Sequence, residues 1–459
     1  WRNKVLAKCI EHRRIFESCD SGKPLAVVGG KHIIKLKPGM AEKLASGEVH
    51  PARCPEPKWG HGARRAIHEA HARKCIHSGL LVPCIGPFAS RLHEALKPKR
   101  GSPKDADDFG IRMCGDYKAV NEFIERHVSP YPDPQSQIEE AAGHAAYWYT
   151  DAEAQFHAFE LDKASQQLTA VWTPFGLHQY TRMPFGLTNS GTVAQTHVRT
   201  MRRRDLDERA YKDSINFQDD YGGRTGRLAD GTVDWERLYH SFAAMLEMAD
   251  KNNMSLKPSK TFFGSKEMEF FGNVLHEGGY HSAEHNLAPI ERCPYPQSLS
   301  ELRRVLGMFV QCNKRVDNYA LIAAPLHFLT GNDKDTKMKR KWSFGAVEKA
   351  AFDDIKAAIM ARPDLHKPDY TKQFFTICDA SDVGKGGMIY QLIDPTKPDD
   401  PDGSNRQVIG FYSKAFDERM RDRPPYYREC DGLFWITEKA MKYALCSPFP
   451  LISKTDQKP

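Results

Sequence analysis

Two periodicities alternate along this chain, and their order sets the expected architecture. Residues 31–37 alternate polar and apolar side chains as a strand does, and residues 64–79 follow a helical spacing with Ala66, Ile67, Ala70 and Ile76 on one face and Gly79 as the stop. A short strand at 80–84 comes next, then a polar loop at 97–109 and a segment at 111–121 that includes Arg112, Asp116 and Asn121. A short helix from Ser136 is ended by Gly143, and residues 146–150 (Ala-Tyr-Trp-Tyr-Thr) read as an aromatic strand that stops at Asp151. Residues 168–173 and 178–183 read as paired strands around Pro174-Phe175-Gly176, and a helix opens after Met183-Pro184-Phe185-Gly186-Leu187 and runs to about Met201. Ile215, Asn216 and Phe217 precede Asp219-Asp220 and Gly222-Gly223, the pattern of a β-hairpin with both acids at its tip. The helix at 238–252 buries Phe242, Met245, Leu246 and Ala249, and a second hairpin spans 269–280. Ser298 and Glu301 have capping-box spacing ahead of a helix with Leu302, Val305, Leu306, Phe309 and Val310 on one face. Another helix at 343–361 turns Phe352, Ile355 and Ile359 inward, with Pro363 as its stop. Beyond about residue 370 come strands at 374–379, 387–392 and 408–412, a helix at 426–445 carrying Glu429 and Asp431, and a strand at 451–456. That order makes a separate α/β unit with acids at its strand ends, Asp379 and Asp456.

Composition changes this picture little. A chain of 459 residues is long enough for about three domains. Its 66 Lys+Arg against 59 Asp+Glu give a modest +7, but the basic residues are bunched at Lys97, Lys99, Arg100 and Lys104, at Arg202 to Arg204, and at Lys337, Lys339, Arg340 and Lys341. Bunched basic loops lean toward a polyanionic partner. The 11 cysteines include no C-x-x-C pair, which argues against a disulfide framework and against a structural zinc site, and for a reducing compartment. No stretch has the length and apolarity of a membrane span, and no signal peptide is visible, so the chain is not expected to be secreted. With Trp1 in place of an initiator Met, the chain is expected to be a piece of a longer polyprotein or a partial reading frame.

Taken together, Arg112-x-Cys114-x-Asp116-Tyr117-Lys118-x-x-Asn121, the aromatic strand with Asp151, Met183-Pro184-Phe185-Gly186-Leu187-x-Asn189, Phe217-x-Asp219-Asp220, Pro258-Ser259-Lys260 and Phe270-Phe271-Gly272 with Gly278 resemble the reverse transcriptases of Gypsy-type long-terminal-repeat retrotransposons. The resemblance runs from about Ala66 through Leu302-Arg303-Arg304-Val305-Leu306-Gly307 and Asp379-Ala380-Ser381 to the end. It implies an α+β right-hand polymerase (fingers, palm, thumb) with a connection and a truncated C-terminal α/β ribonuclease H-like domain. The expected segments are an N-terminal extension at 1–60, fingers at 61–150, palm with fingers insertion and primer grip at 151–285, thumb and connection at 286–365 and the ribonuclease H-like domain at 366–459. It implies RNA-directed DNA polymerase activity by two-metal nucleotidyl transfer, with Mg2+ (or Mn2+) as cofactor. The partners it implies are an RNA template, a DNA primer, an RNA–DNA hybrid, dNTPs and the rest of the Pol polyprotein, with no membrane, and the location it implies is cytoplasmic, in a virus-like particle, or nuclear.

Carried over residue by residue, Asp151 and Asp219 are the main metal ligands, Asp220 is a peripheral acid of the site and Lys260 assists the leaving pyrophosphate. The same resemblance makes Arg112 grip the triphosphate, Phe156 stand as the steric gate against a 2′-hydroxyl, Gly186 and Gln195 flank the templating pair, and Phe271-Gly272 begin the primer grip. Hard divalent ions take carboxylate oxygens, and Arg suits bidentate phosphate binding, so the residue types fit those roles. In the last domain Asp379 and Asp456 match metal-binding acids, and the helix acid is Asp431 or Glu429. The fourth acid and the catalytic His are expected past Pro459, so this chain is expected to cleave the RNA of a hybrid poorly.

The sequence departs from the family at Gln218 (usually apolar), at Gly191 and Ala194 (usually Pro and Phe), at Lys118 (usually Arg) and at Gly222-Gly223 (usually an apolar strand). Two other readings stand beside the polymerase. A decayed or domesticated copy would bind nucleic acid without synthesis. An unrelated two-metal hydrolase would leave the Met-Pro-Phe-Gly-Leu segment unexplained.

Overall fold

The structure is a computed structural model that describes all residues except 18–23, 60–61, 97–110, 129–130, 332–341, 401–402 and 456–459. Two of the three basic clusters and Asp456 therefore lie outside the described residues. The chain forms two compact units, one of residues 1–133 with 146–265 and one of residues 134–145 with 266–459. These units cut across the five expected segments: the hairpin assigned to the end of the palm belongs to the second unit.

The first unit is built on the aromatic strand. Ala146–Asp151 is buried at every position, which is why it carries apolar or aromatic side chains on both faces. It pairs antiparallel with Asp220–Thr225 on one side and Phe262–Ser265 on the other, and Ser214–Phe217 closes the four-stranded sheet at the hairpin edge. The helix Trp235–Lys251 covers one face with Leu238, Phe242, Met245, Leu246 and Ala249, and Asp234 caps it by accepting from the Arg237 amide. Trp148 is fully buried against Phe242 and donates its indole N–H to Ser241 Oγ at 2.8 Å. A Cβ at Gly223 would sit 2.1 Å from that indole nitrogen, so the large ring dictates the glycine that the family pattern lacks.

A second sheet of Leu81–Pro83, Gly176–Tyr180 and Val171–Thr173 and a ribbon of Arg91–Leu96 with Ile111–Asp116 complete this unit. Three local expectations are corrected. Residues 31–37 make isolated bridges at His32 and Leu36 in place of a strand. Residues Lys163–Leu168 form a helix capped by Asp162, so the strand starts only at Val171. The helix Ala63–His77 buries His68, Ala72 and Cys75 and exposes Ala66, because its partner surface is met by a face rotated from the most apolar one.

The second unit opens with a three-stranded meander of Met268–Phe270, Asn273–His276 and Gly279–Ser282. Helices Leu299–Val310 and Ala346–Met360 share a core of Leu302, Val305, Leu306, Phe309, Phe352, Ile355 and Ile359. Ser298 accepts from the Glu301 amide at 3.2 Å as the capping box requires, but Glu301 reaches back to the Gln297 amide, and Val310 is exposed. The last sheet has the order Arg406–Ala415, Gly384–Leu392, Phe375–Ala380, Ile452–Lys454, its final pairing parallel. The helix Pro425–Ala444 covers the face that carries Phe374, Cys378, Ile389 and Ile409.

Candidate active site

The acids are placed by hydrogen-bonded pairing. Phe217 faces Asp220 across a two-residue loop, Gln218-Asp219, in which Gln218 holds φ 51°. A positive φ at the first loop residue matches the right-handed twist of the flanking strands. Gln195, buried in the helix Ser190–Asp205, fixes this loop. Its side-chain oxygen accepts from the Gln218 amide at 2.6 Å and its Nε2 donates to Asn216 Oδ1 at 3.1 Å. Asn216 in turn donates to the Gln218 carbonyl at 3.0 Å and the Asp220 carbonyl at 3.3 Å. Gly191 leaves room on the same helix: a Cβ there would lie 2.7 Å from the Tyr131 hydroxyl, and the Tyr131 ring packs on Phe217 with centroids 6.0 Å apart.

Asp151 stands directly opposite Asp220 in the ladder, and the Ala152 amide donates to the Asp219 carbonyl at 2.7 Å. Opposed residues of an antiparallel pair project to one face, as do positions two apart, so Tyr149, Asp151 and Asp220 share a face. The Tyr149 hydroxyl donates to Asp220 Oδ1. Burial, then the charge of Asp220, lifts the Tyr149 phenol far above its ordinary range, so it remains a neutral donor. Asp151 is only 5% exposed; burial raises its carboxyl, Lys260 opposes the rise and the Asp219 charge adds to it. Lys260, on the 3-10 turn Pro258–Lys260, brings its Nζ 2.8 Å from Asp151 Oδ1, and the Lys257 amide donates to the Asp151 carbonyl at 2.9 Å.

The donor set suits a hard divalent cation such as Mg2+: three carboxylates sit at the ends of paired strands, and a cationic group, Lys260, is already seated on one of them.

The other expected residues of the first unit have neighbours of their own. Phe156, on the turn Gln155–Ala158, packs its ring against Phe185 at 5.0 Å between centroids. Gly186 holds φ 104°, and a Cβ there would lie 2.2 Å from the Gly115 carbonyl oxygen, so no other residue fits. The loop is strapped in place by Gly115 N–H to Phe185 O at 3.1 Å and by Asn121 Nδ2 to Gly186 O at 3.0 Å. Arg112 lies opposite Ala95 in the ribbon, and its side chain lies outside the described residues. Of the basic clusters, Arg202 is spent internally, donating to the Ser214 carbonyl at 2.7 Å, and Arg204 pairs with Asp205 at 2.6 Å.

In the second unit Phe271 and Gly272 form the loop of a tight hairpin with φ 50° and 68°. A non-glycine residue held in that region is strained, and Asn286 secures the turn by donating to the Gly272 carbonyl at 2.9 Å. Asp379 is exposed opposite Gly386. Asp431 is held by Lys385 in an ion pair, whereas Glu429 accepts from the Ala380 amide at 3.3 Å, one residue past Asp379. Sequence reasoning missed Asp317, whose carboxyl is raised by burial, against a backbone hydrogen bond at Asn318, with the charge of Asp379 adding a smaller rise. It also missed Tyr149, for which the aromatic run was the available signal.

Comparison with known proteins gives two domain matches. Residues 98–275 match the reverse transcriptase (RNA-dependent DNA polymerase) family, and residues 344–451 match the RNase H-like domain found in reverse transcriptase. The retrovirus-related Pol polyprotein from transposon 297 of Drosophila melanogaster is 26% identical over 386 residues, 84% of this chain and 33% of that polyprotein. That from transposon opus of the same species is 24% identical over 384 residues, 82% of this chain and 36% of the polyprotein, so the chain spans about a third of the relatives it matches. The fold is similar to the foamy viral protease-reverse transcriptase dRH solved in complex with double-stranded DNA, with TM-score 0.78, 16% identity and coverage of 100% of this chain and 72% of that one. The foamy viral protease-reverse transcriptase in complex with an RNA/DNA hybrid aligns with TM-score 0.71 at 16% identity, covering 100% and 55%.

Proposed function

From the place of this chain among the long-terminal-repeat retrotransposon Pol proteins, as a reverse transcriptase joined to the N-terminal part of a ribonuclease H, we infer that it extends a DNA primer on an RNA template. The observation that carries the reading is the register that sets Asp151 against Asp220, with Asp219 at the adjoining turn. Asp151, Asp219 and Asp220 are the residues that would hold Mg2+. When bound, such ions activate the primer hydroxyl and neutralise the triphosphate. Tyr149 keeps the Asp220 carboxylate aimed along its strand face. Lys260 sits on Asp151 and is the local cation able to move to a departing pyrophosphate. Phe156 borders the same loop as Gly186, where a flat apolar wall would admit a deoxyribose and exclude a 2′-hydroxyl. Arg112 belongs to the strand that the Gly186 loop straps, as a grip on the triphosphate requires.

The test is primer extension on an RNA template. Asp219→Asn should lower extension by at least about 1,000-fold, the scale of losing a principal electrostatic group, with hybrid binding within about threefold of the parent. Loss of binding in step with synthesis would assign Asp219 to folding. Tight binding without extension in the parent chain would favour the non-catalytic copy.

A further inference from the structure

We propose that His276, His281 and Asp364 form a divalent-metal site, suited to Zn2+, that clips the three-stranded meander to the segment entering the ribonuclease H-like domain. Among the described residues they are the one group of three whose ligand atoms all lie within 4.8 Å of one another. His276 Nε2 is 3.2 Å and His281 Nδ1 is 3.0 Å from Asp364 Oδ1, and the two rings are 5.2 Å apart. Zinc bonds of about 2.0–2.2 Å put neighbouring ligand atoms of a tetrahedron about 3.3 Å apart, so these separations are already near those of a loaded site.

Backbone contacts enforce the convergence. His276 pairs with Gly279 across the meander turn, which sets His281 on the neighbouring strand. Tyr280 exchanges both amide bonds with Leu365, at 2.8 and 3.0 Å, and this fixes Asp364 beside them. The crossing is close enough to need glycine: Gly279 holds φ 142°, and a Cβ there would lie 2.2 Å from the Leu365 carbonyl oxygen. All three ligands are thus presented by paired backbone, with no long loop to order on binding.

The donor set selects the ion. Two imidazoles with one carboxylate suit Zn2+ and disfavour Mg2+, which takes oxygen ligands; a fourth position is left for water. The site uses no cysteine and shares no residue with the proposed polymerase acids, so it goes beyond the polymerase reading. Without metal the same groups form a hydrogen-bonded chain. The Gly278 amide donates to His276 Nδ1 at 3.2 Å, which leaves the ring proton on Nε2, toward Asp364. Loading exchanges that arrangement: the ion takes the lone pair at Nε2, the proton moves to Nδ1, and the exposed Gly278 N–H turns to water. The ring stays neutral throughout, and Asp364 offsets one of the ion's two charges.

The full chain, stripped with a chelator and titrated with ZnCl2, is expected to bind one ion with a Kd at or below micromolar. Co2+ in the same site should give tetrahedral visible bands without a sulfur charge-transfer band. Asp364→Asn, which preserves shape, and His281→Gln should each weaken binding by more than the about 10–100-fold that loss of an outer-shell partner costs. Zinc should also slow amide exchange at Tyr280 and Leu365 in the parent and leave it unchanged in both variants. Absence of saturable binding, affinity that survives both substitutions, or a thiolate band with Co2+ would overturn the proposal, the last by assigning the ion to cysteines. Each readout is independent of polymerase activity, so failure here leaves the polymerase reading standing.

Discussion

Single residues in the first unit are fixed by what lies next to them more than by their own chemistry. Gly223 is a glycine because of the Trp148 indole, and Gly186 because of the Gly115 carbonyl. Phe156 is the residue for which packing and function make different predictions. Its ring has an aromatic neighbour, Phe185, on the loop shared with Gly186, so truncation opens a space beside the expected sugar position. Phe156→Ala should raise ribonucleotide over deoxyribonucleotide incorporation by at least about tenfold, since rejection of a hydroxyl by an apolar pocket is worth about 100-fold at most. Single-nucleotide extension with paired rNTP and dNTP checks this. An unchanged ratio in an active variant returns Phe156 to a packing role.

At the scale of elements, two buried polar groups carry predictions. Gln195 joins the helix Ser190–Asp205 to the acid hairpin through the Gln218 amide and Asn216. Gln195→Leu removes the partner of the buried Asn216 Oδ1 and of the half-buried Gln218 amide, and a buried group that loses its hydrogen bond costs about 1–3 kcal/mol. The variant should lose about 2 kcal/mol in thermal unfolding and most of its extension, yet keep hybrid binding. Full extension would show that the turn holds without the helix. In the last domain Asp399 accepts from Arg406 Nε at 2.5 Å and Lys454 Nζ at 2.5 Å, and also from Tyr390. Burial alone would raise its carboxyl, but hydrogen bonds from Lys454, Tyr390 and Arg406 outweigh it and depress the value to about 2. A depressed folded value means the stability it adds is complete above its ordinary value of 3.8 and is lost as pH falls through about 2. Asp399→Asn should therefore speed amide exchange in Gly384–Leu392 at pH 7, and the gap to the parent should close toward pH 2. A gap independent of pH would mean the contacts are structural without charge.

For the whole molecule the relevant quantity is the excess of 66 basic over 59 acidic side chains. Arg202 and Arg204 are engaged within the first unit, which leaves less of that excess for a partner than the sequence clusters suggest. Phosphate neutralisation releases counterions, so hybrid affinity should still fall at least about tenfold between 50 and 200 mM salt. Fluorescence anisotropy across that range measures it, and a flat response would remove the polyanion reading.

The acid hairpin, the strand ending in Asp151, the capped helix at Ser298 and the α/β order of the last domain were legible in the sequence. Each rests on short-range rules: side-chain period, turn residues and cap spacing act within a few positions. Residues 31–37 form no strand, and the strand expected from Leu168 begins only at Val171, because isolated bridges and the helix capped by Asp162 override a weak local pattern. Tertiary structure alone decided the rest. It set Asp151 opposite Asp220, seated Lys260 on Asp151, gave Gln195 its hold on the turn and divided the chain at Lys266. It also gathered His276, His281 and Asp364, which have no motif spacing, through the pairing of Tyr280 with Leu365. Local sequence carries which residues can make a strand end or a turn; which distant strand end they meet depends on pairing and packing across the fold.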